Sequence, residues 1–194
     1  MQERIELKDG REVFVRALQR TDLEGLLTFF SGLPEEDRVF LRMDVTDRAM
    51  VERRLQETQE GKAHRLVVVT GSRIVAYGVL EREGNSWQEH VGEMRLIVGR
   101  DFQRSGLGMH LARELYLLGV KEKIEVIMAH FMAPQEAARR ILERLGFVQE
   151  AVLKDGAKDQ RGCRQDLILM RCDLQTLLHE MKEYFQDFDW QRVR

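Results

Sequence analysis

The sequence predicts a single α/β domain, and three observations carry the prediction. Strand-like apolar runs are joined by tight glycine turns, and segments with apolar residues at helical spacing lie between them. Near the middle, one strand runs through a glycine-punctuated turn straight into a helix. A chain of 194 residues is long enough to bury a core of its own.

The elements follow in order. Arg11–Ala17 alternates as an opening strand, with Val13 and Val15 on one face. Thr21-x-x-Glu24 has the form of a capping box for a helix through Leu23, Leu26, Leu27 and Phe30, which Gly32 stops. Pro34 to Asp44 connects, partly helical, to a helix capped by Asp47 that runs through Met50, Val51 and Leu55 toward Gly61. His64–Thr70 and Arg73–Arg82 read as a hairpin across Gly71-Ser72. Gly84-Asn85 turns into a third strand from about Trp87 to Val98. A helix from Gly106 to Leu118 comes next, with Gly119 beyond its end, then a short buried strand over Ile124–His130. Pro134 suits the first turn of a helix whose inward stripe is Ala137, Ala138, Ile141, Leu142 and Leu145. Phe147–Lys154 and Arg164–Cys172 form a closing antiparallel pair, joined by the polar stretch Asp155–Gly162. From residue 174 to 188, Leu174, Leu177, Leu178, Met181, Phe185 and Phe188 share one helical face, which reads as packing on the body, with a dimer contact as the alternative.

Composition narrows the function classes. A net charge of −2 argues against a nucleic-acid partner, and no apolar run reaches membrane-spanning length. The first residues lack a signal-peptide core, and Cys163 and Cys172 have neither metal-ligand nor redox spacing, so a reduced cytoplasmic setting is expected. The five histidines show no ligand spacing, and no metal is expected.

The run Glu93-Met94-Arg95-Leu96-Ile97-Val98, Gly99-Arg100-Asp101-Phe102, Gln103-Arg104-Ser105-Gly106-Leu107-Gly108 carries the chemistry. Helix-start N–H groups lack intrahelical partners, the helix dipole makes that end electropositive, and small residues let a pyrophosphate approach. A dinucleotide fingerprint would need a third glycine where Leu111 stands, and no Gly-Lys-Ser/Thr follows to make a nucleotide P-loop. An ordinary strand-to-helix turn remains the plain alternative. Alternation sets Glu93, Arg95 and Ile97 against the more apolar Met94, Leu96 and Val98, so Glu93 is either a solvent-facing acid, paired with Arg95 or a neighbouring strand, or a proton acceptor beside the turn.

Gln103-x-x-Gly106-x-Gly108, followed by a helix that ends in Leu145-Gly146-Phe147, resembles the acetyl-CoA-binding pattern of the GNAT N-acetyltransferases. The resemblance spans roughly residues 11–173, in flavour closest to bacterial protein-lysine acetyltransferase domains. It implies a mixed, mostly antiparallel sheet of about six to seven strands flanked by helices, with a C-terminal helix and one domain over 1–194. It implies acetyl-CoA as co-substrate, held by Leu96, Ile97 and Val98 along a splayed strand. Gln103, Arg104, Ser105, Gly106, Leu107, Gly108 and Met109 would surround its pyrophosphate, and Gln135 stands where members carry an Asn. Glu93 matches the glutamate base, and Leu142 stands where many members carry a tyrosine that protonates the departing thiolate.

The expected reaction is direct attack of a primary amine, of a protein lysine or a small molecule, on the thioester. Lysine ammonium, with a pKa near ~10.4, must first lose a proton. The alternative is a weakly catalytic domain that binds acyl-CoA as a sensor. Arg38-Val39-Phe40-Leu41-Arg42 loosely resembles the aromatic-and-arginine stretch of the lysine acetyltransferase domains, and His130 is read either as an acceptor-side or a structural histidine. The Asp155–Arg164 stretch is a solvated turn or a lid whose Asp155 and Asp159 attract a cation. Cys163 is read as a half-exposed thiol. The oligomer is expected to be a monomer or homodimer.

Overall fold

The protein is seen in a computed structural model that describes residues 2–42, 44–82 and 87–174. Within them, eight strands form one sheet. They are β1 (Gln2–Glu6), β2 (Glu12–Ala17), β3 (Ala63–Thr70), β4 (Arg73–Arg82), β5 (Val91–Val98), β6 (Val126–Met132), β7 (Val148–Lys158) and β8 (Arg164–Asp173). Their spatial order is β1-β2-β3-β4-β5-β6-β8-β7, antiparallel everywhere except between β5 and β6. The helices are α1 (Leu23–Ser31), α2 (Glu35–Arg38), α3 (Arg48–Gln59), α4 (Leu107–Lys121) and α5 (Glu136–Arg144).

Two layers cover the sheet. On one face α1 and α3 bury Leu26, Phe30, Val51 and Leu55 against Val67, Tyr77 and Val79. On the other, α4 and α5 bury Leu115, Tyr116 and Leu142 against Leu80, Met94, Ile127 and Met170. Helix α4 lies close to the sheet because β4 offers Gly78, where a Cβ would stand 2.9 Å from Leu115 Cδ1 and 3.1 Å from Leu111.

Several expectations change. The first strand was not expected, since Gln-Glu-Arg-Ile-Glu is almost wholly polar; pairing with β2 and burial of Ile5 and Leu7 make it an edge strand, with charges that discourage further pairing. Thr21 caps nothing: it lies in a 3-10 turn, where Asp22 accepts the Gln19 N–H at 2.7 Å and two bonds from Arg16 at 2.6 and 2.7 Å. Asp47 caps α3 as expected, accepting from the Ala49 N–H at 2.9 Å. Gly119 lies inside α4, where a Cβ would stand 3.0 Å from Ile127 Cδ1 and 3.3 Å from Leu174 Cδ1, so it is a close-packing glycine and not a helix stop. Ala137 faces solvent and drops out of the α5 stripe. Pro134 precedes the helix, whose N-cap is Gln135. The third expected strand begins later, at Val91, and β7 runs on to Lys158. The Gly84-Asn85 turn and the helical face beyond Leu174 lie outside the described residues.

Candidate active site

The site starts from one irregularity in the sheet. Strands β5 and β6 pair only through Val91–Val126, Gly92–Ile127 and Glu93–Met128, and then part. Beyond that point β5 remains hydrogen-bonded to β4 as far as Val98, and β6 to β8 as far as Met132. The inner main-chain edge from Leu96 to Val98 is therefore left by β6, the Val98 carbonyl being met by Gln103 and the remainder open to an extended ligand, as an added strand would use it.

At the far end of the opening, β5 passes through a 3-10 turn (Arg100–Phe102) into α4. Arg104 and Gly106 take left-handed conformations (φ 61° and 91°). Backbone held there by a non-glycine residue is strained, and such strain concentrates at functional turns. The buried Ser105 hydroxyl donates to the Phe102 carbonyl at 2.6 Å, so its side chain holds the turn and only its main chain is left for a ligand. Leu107 is fully buried, and the Met109 N–H donates to the Gly106 carbonyl at 3.1 Å. Gln103 Nε2 donates to the Val98 carbonyl at 3.3 Å and ties the turn to its strand, while the Arg104 side chain is exposed. Gly108 lets α5 approach, since a Cβ would stand 2.9 Å from Ile141 Cδ1.

Lys8 was not expected here. Its N–H donates to the Ser105 carbonyl at 3.1 Å, and its stem covers Gly106, with Cε 3.5 Å from where a Cβ would stand. The β1–β2 turn thus braces the glycine turn and brings a cation to it.

These features fit a pantetheine diphosphate: an open strand edge, then unpaired helix-start donors, then cations. Gln135 sits at the base of the opening, where its Oε1 accepts the Met132 N–H at 2.9 Å and its Nε2 remains to donate.

A cavity of about 160 Å³ continues from the opening to the other side of the sheet. Gln135, Ala138 and Leu142 line one end, and Phe30, Met50 and Val51 line the other. Arg42 and His130 stand on its wall around Glu93. His130 Nδ1 lies 3.1 Å from Glu93 Oε1, and Arg42 donates twice to the carboxylate, one bond being 3.1 Å. Burial pushes the Glu93 carboxyl up, but the His130 hydrogen bond and the Arg42 charge outweigh it, and the pKa lies below the ordinary glutamate value. Glu93 is thus the charged, proton-poor member of the cluster.

Deeper in the cavity, Glu81 accepts from Arg65 at 2.6 Å, from Arg54 at 3.1 Å and from Arg95. Glu57 accepts from Arg65 and Arg54, each at 2.9 Å. The Arg65 side chain is 0% exposed, and its Nε–H has no partner. Burial, and then the charges of Arg42, Arg54 and Arg65, lower the Arg95 pKa to about 10. Of this network, composition and motif reading gave only Arg42 and Arg95. The missed signal was an arginine in phase with the buried Ala63 and Val67 of β3.

The β7–β8 tip roofs the acceptor side. Gln160 N–H donates to the Val39 carbonyl at 2.9 Å, and its amide to the Leu41 carbonyl at 3.2 Å. Asp159 is tied into the tip itself, its oxygens accepting from Arg161 N–H, Cys163 N–H and Gln165. The Cys163 thiol is exposed on this tip.

Among the described residues, no group of three or more metal-ligating side chains gathers, and no helix is long and apolar enough to cross a membrane. The family model for the acetyltransferase (GNAT) family matches residues 30–147. The GNAT domain of S. lividans PAT is similar at TM-score 0.76 and 16% identity, over 89% of this chain and 96% of that one. A GNAT-family acetyltransferase from Streptococcus pneumoniae matches at 0.73 and 19%, over 83% of this chain and 99% of its own. The putative acetyltransferase yncA from Salmonella typhimurium, solved with its cofactor acetyl-CoA, matches at 0.73 and 18%, over 84% and 94%. No curated protein matches.

Proposed function

The chain belongs to the GNAT family of acetyltransferases, and from that premise we propose that it moves an acetyl group from acetyl-CoA to a primary amine in a ternary complex, with Glu93 driving proton removal. The observation that carries this reading is the parting of β5 and β6 beyond Glu93, with an anion-receptive glycine turn at one end and a cavity at the other. That yncA was solved with acetyl-CoA supports the choice of co-substrate.

The thioester supplies an activated acetyl group. The open edge of Leu96, Ile97 and Val98 binds the pantetheine amides, and Gln103 to Gly108, with Arg104 and Lys8, receive the pyrophosphate. This fixes the carbonyl at the base of the opening, beside Gln135. The acceptor enters from the α1–α3 side, its nitrogen attacks the carbonyl carbon, a C–N bond forms and the C–S bond breaks. Its proton passes toward Glu93 through His130. His130 Nδ1 lies 3.0 Å from Arg42 Nη2, which can only donate, and 3.1 Å from Glu93, which can only accept; Arg42 is already satisfied by the carboxylate, so Nδ1 keeps its hydrogen for Glu93 and Nε2 offers its lone pair. Glu93 then stabilises the imidazolium. Leu142 holds no proton to give, and a thiol of pKa near ~8.5 leaves as its thiolate without one.

The test is thiol release from acetyl-CoA by wild type and Glu93→Gln. A fall of about 10²–10⁴-fold with acetyl-CoA affinity kept is expected when the proton-accepting imidazole loses the carboxylate that drives it. Unchanged turnover would remove Glu93 from the chemistry. A second reading, a weak catalyst that binds acyl-CoA as a sensor, is favoured by Leu142 on the cavity wall. Equal background rates in both proteins, with acetyl-CoA bound, would select it.

A further inference from the structure

The inner charges of the cavity answer one another. Glu81 accepts from Arg54, Arg65 and Arg95, and Glu57 accepts from Arg54 and Arg65. This cluster calls for no ionic ligand. Glu93 differs, because its guanidinium partner is drawn from the rim. Arg42 comes from the segment between α2 and α3, and its side chain is 42% exposed. It lies across Glu93 and His130 together, with Nη2 3.0 Å from His130 Nδ1. An ion pair with one member so exposed contributes little stability, so a cation from solution can take its place.

The wall that a ligand reaches from Glu93 is mostly carbon. Phe40, Leu41 and Val45 come from the same segment as Arg42, Met50 from α3, and Leu96 and Ile97 from β5, all six half-buried. Behind them the buried Phe30 and Val51 close the α1–α3 end. Gln160 holds the roof to the β7–β8 tip through its bonds to the Val39 and Leu41 carbonyls. At about 160 Å³ the space is close to the roughly 150 Å³ of an apolar cavity that accepts benzene. Apolar walls give water few hydrogen-bond partners, and hydrocarbon fills them at a gain that grows with the area covered. The chemistry fixes the acceptor's nitrogen at Glu93 and His130, so its carbon skeleton lies in this space. A free amine ends there, whereas a lysine side chain carries a main chain that has to pass out between roof and wall.

We propose that the acceptor is a small apolar monoamine, a primary ammonium on a hydrocarbon chain or ring with no second charge. Its ammonium takes the place of Arg42 at Glu93 and His130, and its hydrocarbon lies against Phe40, Met50 and Ile97. This rests on the acetyltransferase reading and names its substrate class. A second charge on the acceptor would sit among carbon walls or break into pairs already made, and either is costly. In the transfer the nitrogen forms its bond to the acetyl carbon and the C–S bond breaks. Of the two protons that the ammonium gives up, one ends on the CoA thiol and one in solvent.

The test measures thiol release at saturating acetyl-CoA with alkylamines from propyl to hexyl, phenethylamine, hexamethylenediamine, aminohexanoate and a lysine peptide. In the alkyl series kcat/KM is expected to rise about fourfold per methylene. Hexylamine should exceed the diamine and the amino acid by roughly 100-fold or more. Calorimetry of the alkylamines on the CoA-loaded protein should show the same chain-length dependence without chemistry. Arg42→Gln, which removes the competing cation, should tighten hexylamine binding by about two- to fivefold. Met50→Glu sets a carboxylate in the space from a half-buried position and should bring the diamine to within about threefold of hexylamine, with retained acetyl-CoA binding certifying the fold. A flat chain-length series, a diamine or lysine peptide that serves as well as hexylamine, or hexylamine that fails to bind would overturn the proposal while acetyl transfer stands. So would a rate that climbs with the donor from acetyl- to hexanoyl-CoA, since the space would then belong to the acyl chain. A protein that binds no acetyl-CoA would remove the acetyltransferase reading itself, and this proposal with it.

Discussion

Glu81 shows how much one residue can hold. Its two oxygens accept from Arg54, Arg65 and Arg95, which come from one helix and two strands. Removing the charge leaves three guanidiniums with fewer acceptors, the Arg65 side chain among them wholly buried. Glu81→Gln is therefore expected to destabilise the fold by about 3–5 kcal/mol, the usual consequence of breaking one side of a buried ion pair. Urea denaturation with an unchanged slope would read this directly; a loss under ~1 kcal/mol would mean that water already solvates the cluster. Glu93 was singled out in the sequence because the resemblance to GNAT N-acetyltransferases puts a glutamate base at its position. Glu81 and Arg65 were not, because what gives them meaning is register across three strands, and a single strand's pattern does not carry register.

At the scale of elements, the hairpin of β3 and β4, the Asp47 cap and the glycine turn were readable locally, from two-residue turns and helical spacing, whereas the capping box expected at Thr21 was not there. Elements whose identity depends on a distant partner were not. The polar β1 is a strand only because β2 lies beside it, and Gly119 is helical because Ile127 and Leu174 press on it. The same dependence locates a sensitive point in Gly78. A methyl group there meets Leu115 at 2.9 Å and Leu111 at 3.1 Å, one on each of two successive turns of α4. Either these leucines re-pack or the helix lifts, and its first turn is the candidate anion site. Gly78→Ala is expected to destabilise the fold by about 1–3 kcal/mol, as overpacked cores do, and to weaken acetyl-CoA binding although the position touches no ligand. Calorimetric titration beside a melting curve would show both; unaltered binding would mean that the leucines alone absorb the methyl group.

For the whole molecule, acid is the natural probe. Asp22 is pushed up by burial but brought below its ordinary value by Arg16 and the Gln19 N–H; Glu57 likewise by Arg54 and Arg65, and Glu93 by His130 and Arg42. A carboxyl with a depressed folded pKa is protonated more readily in the unfolded chain, where values lie near ~3.9 to 4.3. Stability from these groups is thus fully present above that range and is lost as pH falls through the folded values. Glu114, raised by burial and then by Glu3, acts in the opposite sense. The urea midpoint should stay level from neutral pH to about 5 and drop below about 4.5. A midpoint that rises on acidification would show that repulsion like that at Glu114 governs the molecule.

The parting of β5 and β6 also decides how the molecule bears load. Three residue pairs join the five-stranded half to the three-stranded half within the sheet, and all lie at one end of the seam. A ligand that lies along the opening as an added strand closes the rest of that seam. Under the proposed function that ligand is the acyl donor, which would then be the keystone of the sheet, set and knocked out at each turnover.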